Sequence, residues 1–472
     1  MQNYALLTDL YQLTMMNGYL KSGVAQKKAV FDVFYRGTGN FSYAMAAGLE
    51  QVIDYITNLK FTNEDIEYLR SLKIFDETFL KELKDFKFTG DIKALPEGTI
   101  CFPYEPILTV TAPIFQAQLI ETAVLTFINH QTLIATKALR LCQSTKSKIL
   151  EFGLRRAQGA DAGIYGARAA YIGGCRATSN VLAGKMFDIP VKGTHAHSWI
   201  MSFPDELTAF RKYAELYPDS CLLLVDTYDT LKSGVPNAIK VFDELKAKGH
   251  RPVGIRIDSG DLAYLSKMAR KMLDEAGHSD VVIFASGDID EDILLALHAQ
   301  DAKIDVYGIG TRLITSYNNP SLGGVYKLAA IEEDGAFRPK IKISNTHEKT
   351  TNPGRKKVIR IYDKSGMSQA DLICLEKDKF DESKPLTIFH PEYTWKKTTF
   401  YDYKVKNLMV DVFKGGELVY NIPTLEEIAR YADECVASFY PEYLRVVNTQ
   451  EYKVDLSDSL FALKNKLLNN QV

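Results

Sequence analysis

The sequence predicts an α/β fold: a parallel sheet of successive βα units, better suited to a barrel than to an open sheet, flanked by two unlike pieces. Three observations point there. Between residues 145 and 331 short apolar, β-branched segments recur, each ending in a small or polar cluster: SKILEF, YIGG, IPVKG, CLLLV, VGIRI, VVIFA, DVYGI and VYKLAAI. Several are followed by segments of 3.6-residue periodicity, such as NVLAGKMF, PNAIKVFDELKAKG and LAYLSKMARKMLDEAG, and alternation of strand and amphipathic helix is the signature of a parallel sheet. Asp226, Asp258, Gly287 and Gly310 are spaced by 32, 29 and 23 positions, close to one βα unit each. The polar residues at these strand ends then open onto one face, where barrel enzymes place their chemistry.

Taken in order, residues 1–135 mix helical patterns (TDLYQLTMMNGYLKSG, FTNEDIEYLRSLK) with a proline-containing strand region, IKALPEGTICFPYEPILTVTAP. Residues 136–331 carry the βα units. Residues 332–472 begin with a basic, hairpin-like pair, KIKIS and KKVIRIYD around THEKTTNPGR, and end in helices. From Arg338 to Lys364 there are nine Lys or Arg against two acids, which reads either as a solvated hairpin or as a phosphate-facing surface.

Composition narrows the function. The chain has 472 residues, 57 Lys+Arg and 59 Asp+Glu, a formal charge of -2. No global field exists to hold nucleic acid or an anionic membrane surface, so any anionic ligand must be held locally. The start, MQNYALLTDLYQLTM, lacks the basic and apolar regions of a secretory signal, and no apolar run reaches the length of a membrane span. Six scattered cysteines without a C-x-x-C pair read as reduced thiols of a cytoplasmic protein.

Several strand ends carry chemistry. His195 and His197 form an H-x-H pair after IPVKG; on an extended segment the two rings share a face, so a metal site is one reading. A neutral imidazole can instead attack a phosphoryl group while an acid orients its other nitrogen. Asp226-Thr-Tyr-Asp229 and Arg256-Ile-Asp258-Ser-Gly-Asp261 end two further strands. There Arg256 can stack on an aromatic ligand, pair with a carboxylate, or form a structural salt bridge to Asp226 or Asp258. Ser286-Gly287-Asp288 and Gly308-Ile-Gly310-Thr311 offer small residues that let backbone N–H groups approach a phosphate. Neither a P-loop nor a G-x-G-x-x-G fingerprint is present.

These residues resemble a known set. TDLYQLTM, EFGLRRAQG, GTHAHS, DTYD, RIDSGD, SGDID, GIGT and SLGGVYKL stand in the order found in nicotinate phosphoribosyltransferases, over roughly residues 4 to 360. The resemblance implies a type II phosphoribosyltransferase: an irregular α/β barrel, a second α/β domain built from both chain ends, and a head-to-tail homodimer with active sites at the subunit interface. It implies transfer of phosphoribose from 5-phosphoribosyl 1-diphosphate to nicotinate with Mg²⁺, coupled to ATP hydrolysis through a phosphohistidine, in NAD biosynthesis. Residue by residue it makes His197 the phosphorylated histidine, Asp226 the acid that orients it, and Thr194, Arg256, Phe152 and Arg155 members of the nicotinate site. Tyr11 becomes the ring-stacking aromatic from the neighbouring subunit. Gly287, Asp288, Gly310 and Thr311, with Ser286 beside them, fall on the ribose-phosphate site and Lys327 on a phosphate. Asp258 and Asp288 are candidates for the carboxylate near the ribose, and the Mg²⁺ ligands are left unassigned. Two rivals remain open, a metal-dependent barrel hydrolase using the H-x-H pair and a non-catalytic pyridine-nucleotide sensor.

Overall fold

The computed structural model describes residues 3–37, 41–345 and 349–469. Long-range packing divides the chain into two units. The first comprises Met1–Leu133, Ser321–Leu444 and Asn448–Val472; the second comprises Ile134–Pro320 with Arg445–Val447.

The first unit is built on an antiparallel sheet of seven strands, in the order Ala336–Pro339, Gly324–Glu333, Lys28–Tyr35, Leu108–Pro113, Asp91–Ala94, Val410–Lys414 and Glu417–Leu418. The strand Lys28–Tyr35 is buried at all but its first residue, which is why KAVFDVFY is almost continuously apolar rather than alternating. The helices Leu10–Lys21, Leu49–Asn58, Asn63–Ser71 and Glu77–Lys84 contribute to the same apolar core. Thr62 starts one of them with a capping box, its hydroxyl accepting from Asp65 N–H. A second sheet runs Lys404–Asn407, Lys356–Tyr362, Ser368–Leu375 and Val454–Leu456, the last pair parallel.

Three sequence expectations change here. KIKIS forms no strand, and KKVIRIYD pairs with Ser368–Leu375 and Lys404–Asn407 instead; of the expected turn, Thr346, His347 and Glu348 lie outside the described residues. The basic run is also not simply solvated. Lys356 is buried against Asp32 at 2.7 Å and Arg360 against Asp371 at 2.6 Å, so two of its cations are neutralised inside the unit, as buried charges must be. VYKLAAI, read as the last parallel strand, lies in Gly324–Glu333 of the antiparallel sheet.

The second unit holds a parallel sheet of five strands in the order Lys148–Glu151, Val306–Ile309, Val282–Gly287, Gly254–Ile257 and Leu222–Leu224. Consecutive βα units add side by side, joined by Val235–Ala247, Leu262–Glu275 and Glu291–Ala299. Asp261 and Asp290 cap two of these helices. Among the described residues the paired strands form a five-stranded parallel sheet with partial extensions, so the α/β architecture expected from sequence is present while a closed barrel is not shown. Beyond Glu151 only single bridges continue it, Glu151 to Thr178 and Thr178 to Val191. Pro190 has no N–H to extend a ladder there. Between the 191–195 segment and Leu222–Leu224 the bonds come from side chains: Thr194 Oγ1 donates to Leu222 O at 2.6 Å, and Leu224 N donates to His195 Nε2 at 3.3 Å. YIGG is not a strand either. Tyr171 and Ile172 end the helix Ala160–Ile172, whose alanine-rich turns carry them on as helix.

Candidate functional site

In the second unit the carboxyl ends of the parallel strands gather one polar network. Its base is Asp226, two residues past Leu224, whose side chain is 2% exposed. One carboxylate oxygen lies 3.3 Å from His197 Nε2. The other accepts from Asp258 N at 2.9 Å and Ser259 Oγ at 2.6 Å. A carboxylate so supplied with donors is held in one rotamer and fixes the imidazole it faces.

The H-x-H pair does not act as a pair. His195 lies on extended chain, whereas His197 is the first residue of the helix His197–Met201, so the two-residue alternation of a strand stops between them. The imidazoles diverge to Leu224 N–H and Asp226, against a shared metal. Burial pushes His195 down to about 4, with Arg256 and His197 adding to the effect; it is neutral and accepts through Nε2.

Arg256, level with Leu224 and Phe284 on the neighbouring strands, emerges from the sheet beside Asp258. Its Nε donates to Ser286 Oγ at 2.8 Å and its Nη2 to Asp258 Oδ1 at 2.6 Å, while Ser286 donates to the same Asp258 oxygen. Burial works to raise the Asp258 carboxyl, but the Ser286 hydroxyl and the Arg256 guanidinium outweigh it and hold the group below its ordinary value. Of the alternatives open for Arg256, the salt bridge to Asp258 is present. The guanidinium also stands 6.0 Å from the Phe152 ring centroid, within cation–π range, and Phe152 stacks on Phe284 at 5.7 Å.

Glycines make room for that ring. A Cβ on Gly308 would meet the Phe152 ring at 2.7 Å, and one on Gly310 the Phe152 carbonyl at 2.9 Å. Gly287 has φ +133, a conformation that favours glycine, beside Asp258 O. Asp288 is exposed just past that strand, and Thr311 is half-buried at the start of Thr311–Ile314. Arg155 is exposed on the turn Leu154–Arg156.

Tyr11 and Lys327 belong to the first unit. Tyr11 is 47% exposed; partial burial, the charge of Glu121 and a hydrogen bond to it raise its hydroxyl to about 12. Lys327 is lowered chiefly by burial; Glu121 opposes that shift, and Arg36 and Lys342 add to it. These two cations beside Lys327 were not singled out from sequence, nor were Ser259 and Glu151. For the last two a signal existed: Ser259 lies within RIDSGD and Glu151 opens EFGLRRAQG.

A parallel sheet whose carboxyl ends carry an acid-held histidine, a guanidinium by an aromatic face and close-packed glycines belongs to the class of α/β enzymes that work at strand ends. The family described as nicotinate phosphoribosyltransferase (NAPRTase) N-terminal domain matches residues 6–129, and its C-terminal domain family matches residues 355–464. The chain is 48% identical over 463 residues to a nicotinate phosphoribosyltransferase of Bacillus subtilis, covering 98% of this chain and 94% of that protein. It is 32% identical to the human nicotinate phosphoribosyltransferase over 99% of this chain and 97% of that one. The crystal structure of human nicotinic acid phosphoribosyltransferase superposes with a TM-score of 0.83 at 30% identity, covering 98% of this chain and 99% of that chain. The chain belongs to the nicotinate phosphoribosyltransferase family.

Proposed function

We propose that the protein joins nicotinate to 5-phosphoribosyl 1-diphosphate, giving nicotinate mononucleotide and diphosphate in NAD biosynthesis. The observation that carries this reading is the continuous network from His197 through Asp226 and Asp258 to Arg256 and Ser286 at adjacent strand ends. Nicotinate is a flat anion. Arg256 supplies charge and Phe152 a face, with Thr194 and Arg155 at the pocket edge and Tyr11 stacking from a second copy of the chain. Leu10, Tyr11 and Met15 expose apolar surface on the helix Leu10–Lys21, which supports a homodimer.

Gly287, Gly310, Thr311 and the backbone N–H of Asp288 receive the ribose phosphate, and Lys327 a further phosphate. As diphosphate departs, the ribose C1 gains oxocarbenium character that a nearby carboxylate stabilises. Asp288 fits that role through its exposure, whereas Asp258 is already engaged by Arg256 and Ser286. Mg²⁺, bound mainly through the substrate phosphates, would neutralise charge on the departing diphosphate.

ATP hydrolysis couples through His197. With Nε2–H directed to Asp226, Nδ1 carries the lone pair: it attacks the γ-phosphorus, the bond to the ADP oxygen breaks, and Asp226 stabilises the cationic ring. Water then attacks the phosphorus and releases phosphate, restoring the imidazole. The new charge beside the strand ends shifts the balance of diphosphate binding. The expected setting is cytoplasmic; among the described residues no helix is long and apolar enough to cross a membrane. Incubation with nicotinate, 5-phosphoribosyl 1-diphosphate, Mg²⁺ and ATP should yield nicotinate mononucleotide; absence of product overturns the reading.

A further inference from the structure

Beneath Phe152 lies a carboxylate to which the proposed reaction gives no role. Glu151 ends the strand Lys148–Glu151 and is 1% exposed. One of its carboxylate oxygens accepts from Gly153 N–H, closing the chain around Phe152; the other accepts from Thr178 Oγ1 at 2.5 Å. Burial raises this carboxyl, opposed by the same two hydrogen bonds.

Thr178 is itself a junction. Its backbone bridges Glu151 on one side and Val191 on the other, with Thr178 N donating to Pro190 O at 3.1 Å and Lys192 N to Thr178 O at 2.9 Å. Its hydroxyl also accepts from Asn180 N at 3.0 Å. Two residues beyond Lys192 stands Thr194, bonded to Leu222 O, and three further His197, facing Asp226. These bridges are single, so the side-chain bond from Thr178 to Glu151 reinforces a junction that backbone pairing alone leaves thin.

We infer that Glu151 is a positioning residue that, through Thr178, ties the Phe152 face of the pocket to the segment carrying Thr194 and His197. The pocket roles rest on the proposed function; the tie itself does not. Removing the Thr178 hydroxyl leaves a buried acceptor unpaired, with two consequences: the Phe152 turn loosens under Arg256, and the 190–197 segment moves more freely.

The protein has two tryptophans, Trp199 in the helix His197–Met201 and Trp395, which is exposed. In the full chain with Trp395→Phe, acrylamide quenching of Trp199 reads the segment without any substrate. Thr178→Val should increase that quenching and raise the nicotinate KM about tenfold, the scale of one unpaired buried group; Thr178→Ser, which keeps the hydroxyl, should restore both. Glu151→Gln should behave like Thr178→Val, and if it does not fold the threonine pair alone decides. Unchanged quenching and KM with only a lower melting temperature would overturn the inference. Wild-type protein that makes no nicotinate mononucleotide would overturn the proposed function instead, and the quenching comparison would still decide the tie.

Discussion

Asp226 faces His197 with one carboxylate oxygen, 3.3 Å from Nε2, while its other oxygen is occupied by Asp258 N–H and the Ser259 hydroxyl. The acid is buried and the imidazole 39% exposed, so the carboxylate is fixed and the ring it faces is open to solvent. The phosphoryl group is therefore expected on Nδ1, where phosphorus NMR of the phosphorylated protein would place it. Asp226→Asn keeps the shape but loses the charge that stabilises the cationic ring. ATP hydrolysis in the presence of both other substrates should fall by about a hundredfold or more, the range of acid–base and orienting groups; His197→Ala should abolish it while slow ATP-independent transfer persists.

Arg256 uses its planar fork twice, on Ser286 and Asp258, and stands over Phe152. A lysine there keeps the charge but not the fork or the flat face. Arg256→Lys should raise the nicotinate KM by roughly tenfold or more in steady-state assays and change the KM for 5-phosphoribosyl 1-diphosphate less.

His195 gives a pH dependence. Its folded value of about 4 lies below the ordinary 6.5, so the unfolded chain binds the proton more readily. The stability it confers is full above pH 6.5 and is lost as pH falls toward 4, by up to roughly 3 kcal/mol. Denaturant midpoints at pH 7 and pH 5 should differ less in His195→Gln, whose side-chain oxygen can still accept from Leu224 N–H.

Gly308 admits the Phe152 ring, and an added Cβ would also meet Phe284 at 2.8 Å. Gly308→Ala should lower stability by about 1–3 kcal/mol through overpacking and raise the nicotinate KM, because the displaced ring is the one under Arg256. Equilibrium unfolding and KM measured on the same preparation check both.

The parallel strands and their polar ends were legible because a strand buried on both faces reads as a short apolar run, and charge at its end is conspicuous. Asp226, Arg256, Asp258 and Ser286 could be named from that pattern, though their mutual hydrogen bonds could not. Closure of the sheet into a barrel is not legible from spacing. Thr178 and Val191 continue the sheet only through single bridges, and a pattern does not report how many hydrogen bonds a segment makes. The paired face of His195 and His197 failed for a local reason: a helix begins at His197, and the periodicity changes from two to 3.6 within the motif. Glu151 stands in the EFGLRRAQG motif, but nothing in the sequence ties it to its partner Thr178, 27 positions away.

The measurement that bears most directly on the central claim is a side-by-side product assay with nicotinate and nicotinamide. Each is supplied with 5-phosphoribosyl 1-diphosphate, Mg²⁺ and ATP. Nicotinate is expected to give nicotinate mononucleotide and diphosphate, with nicotinamide used far less well because it lacks the carboxylate proposed to pair with Arg256. Absence of product from nicotinate, or equal turnover of the amide, would contradict it.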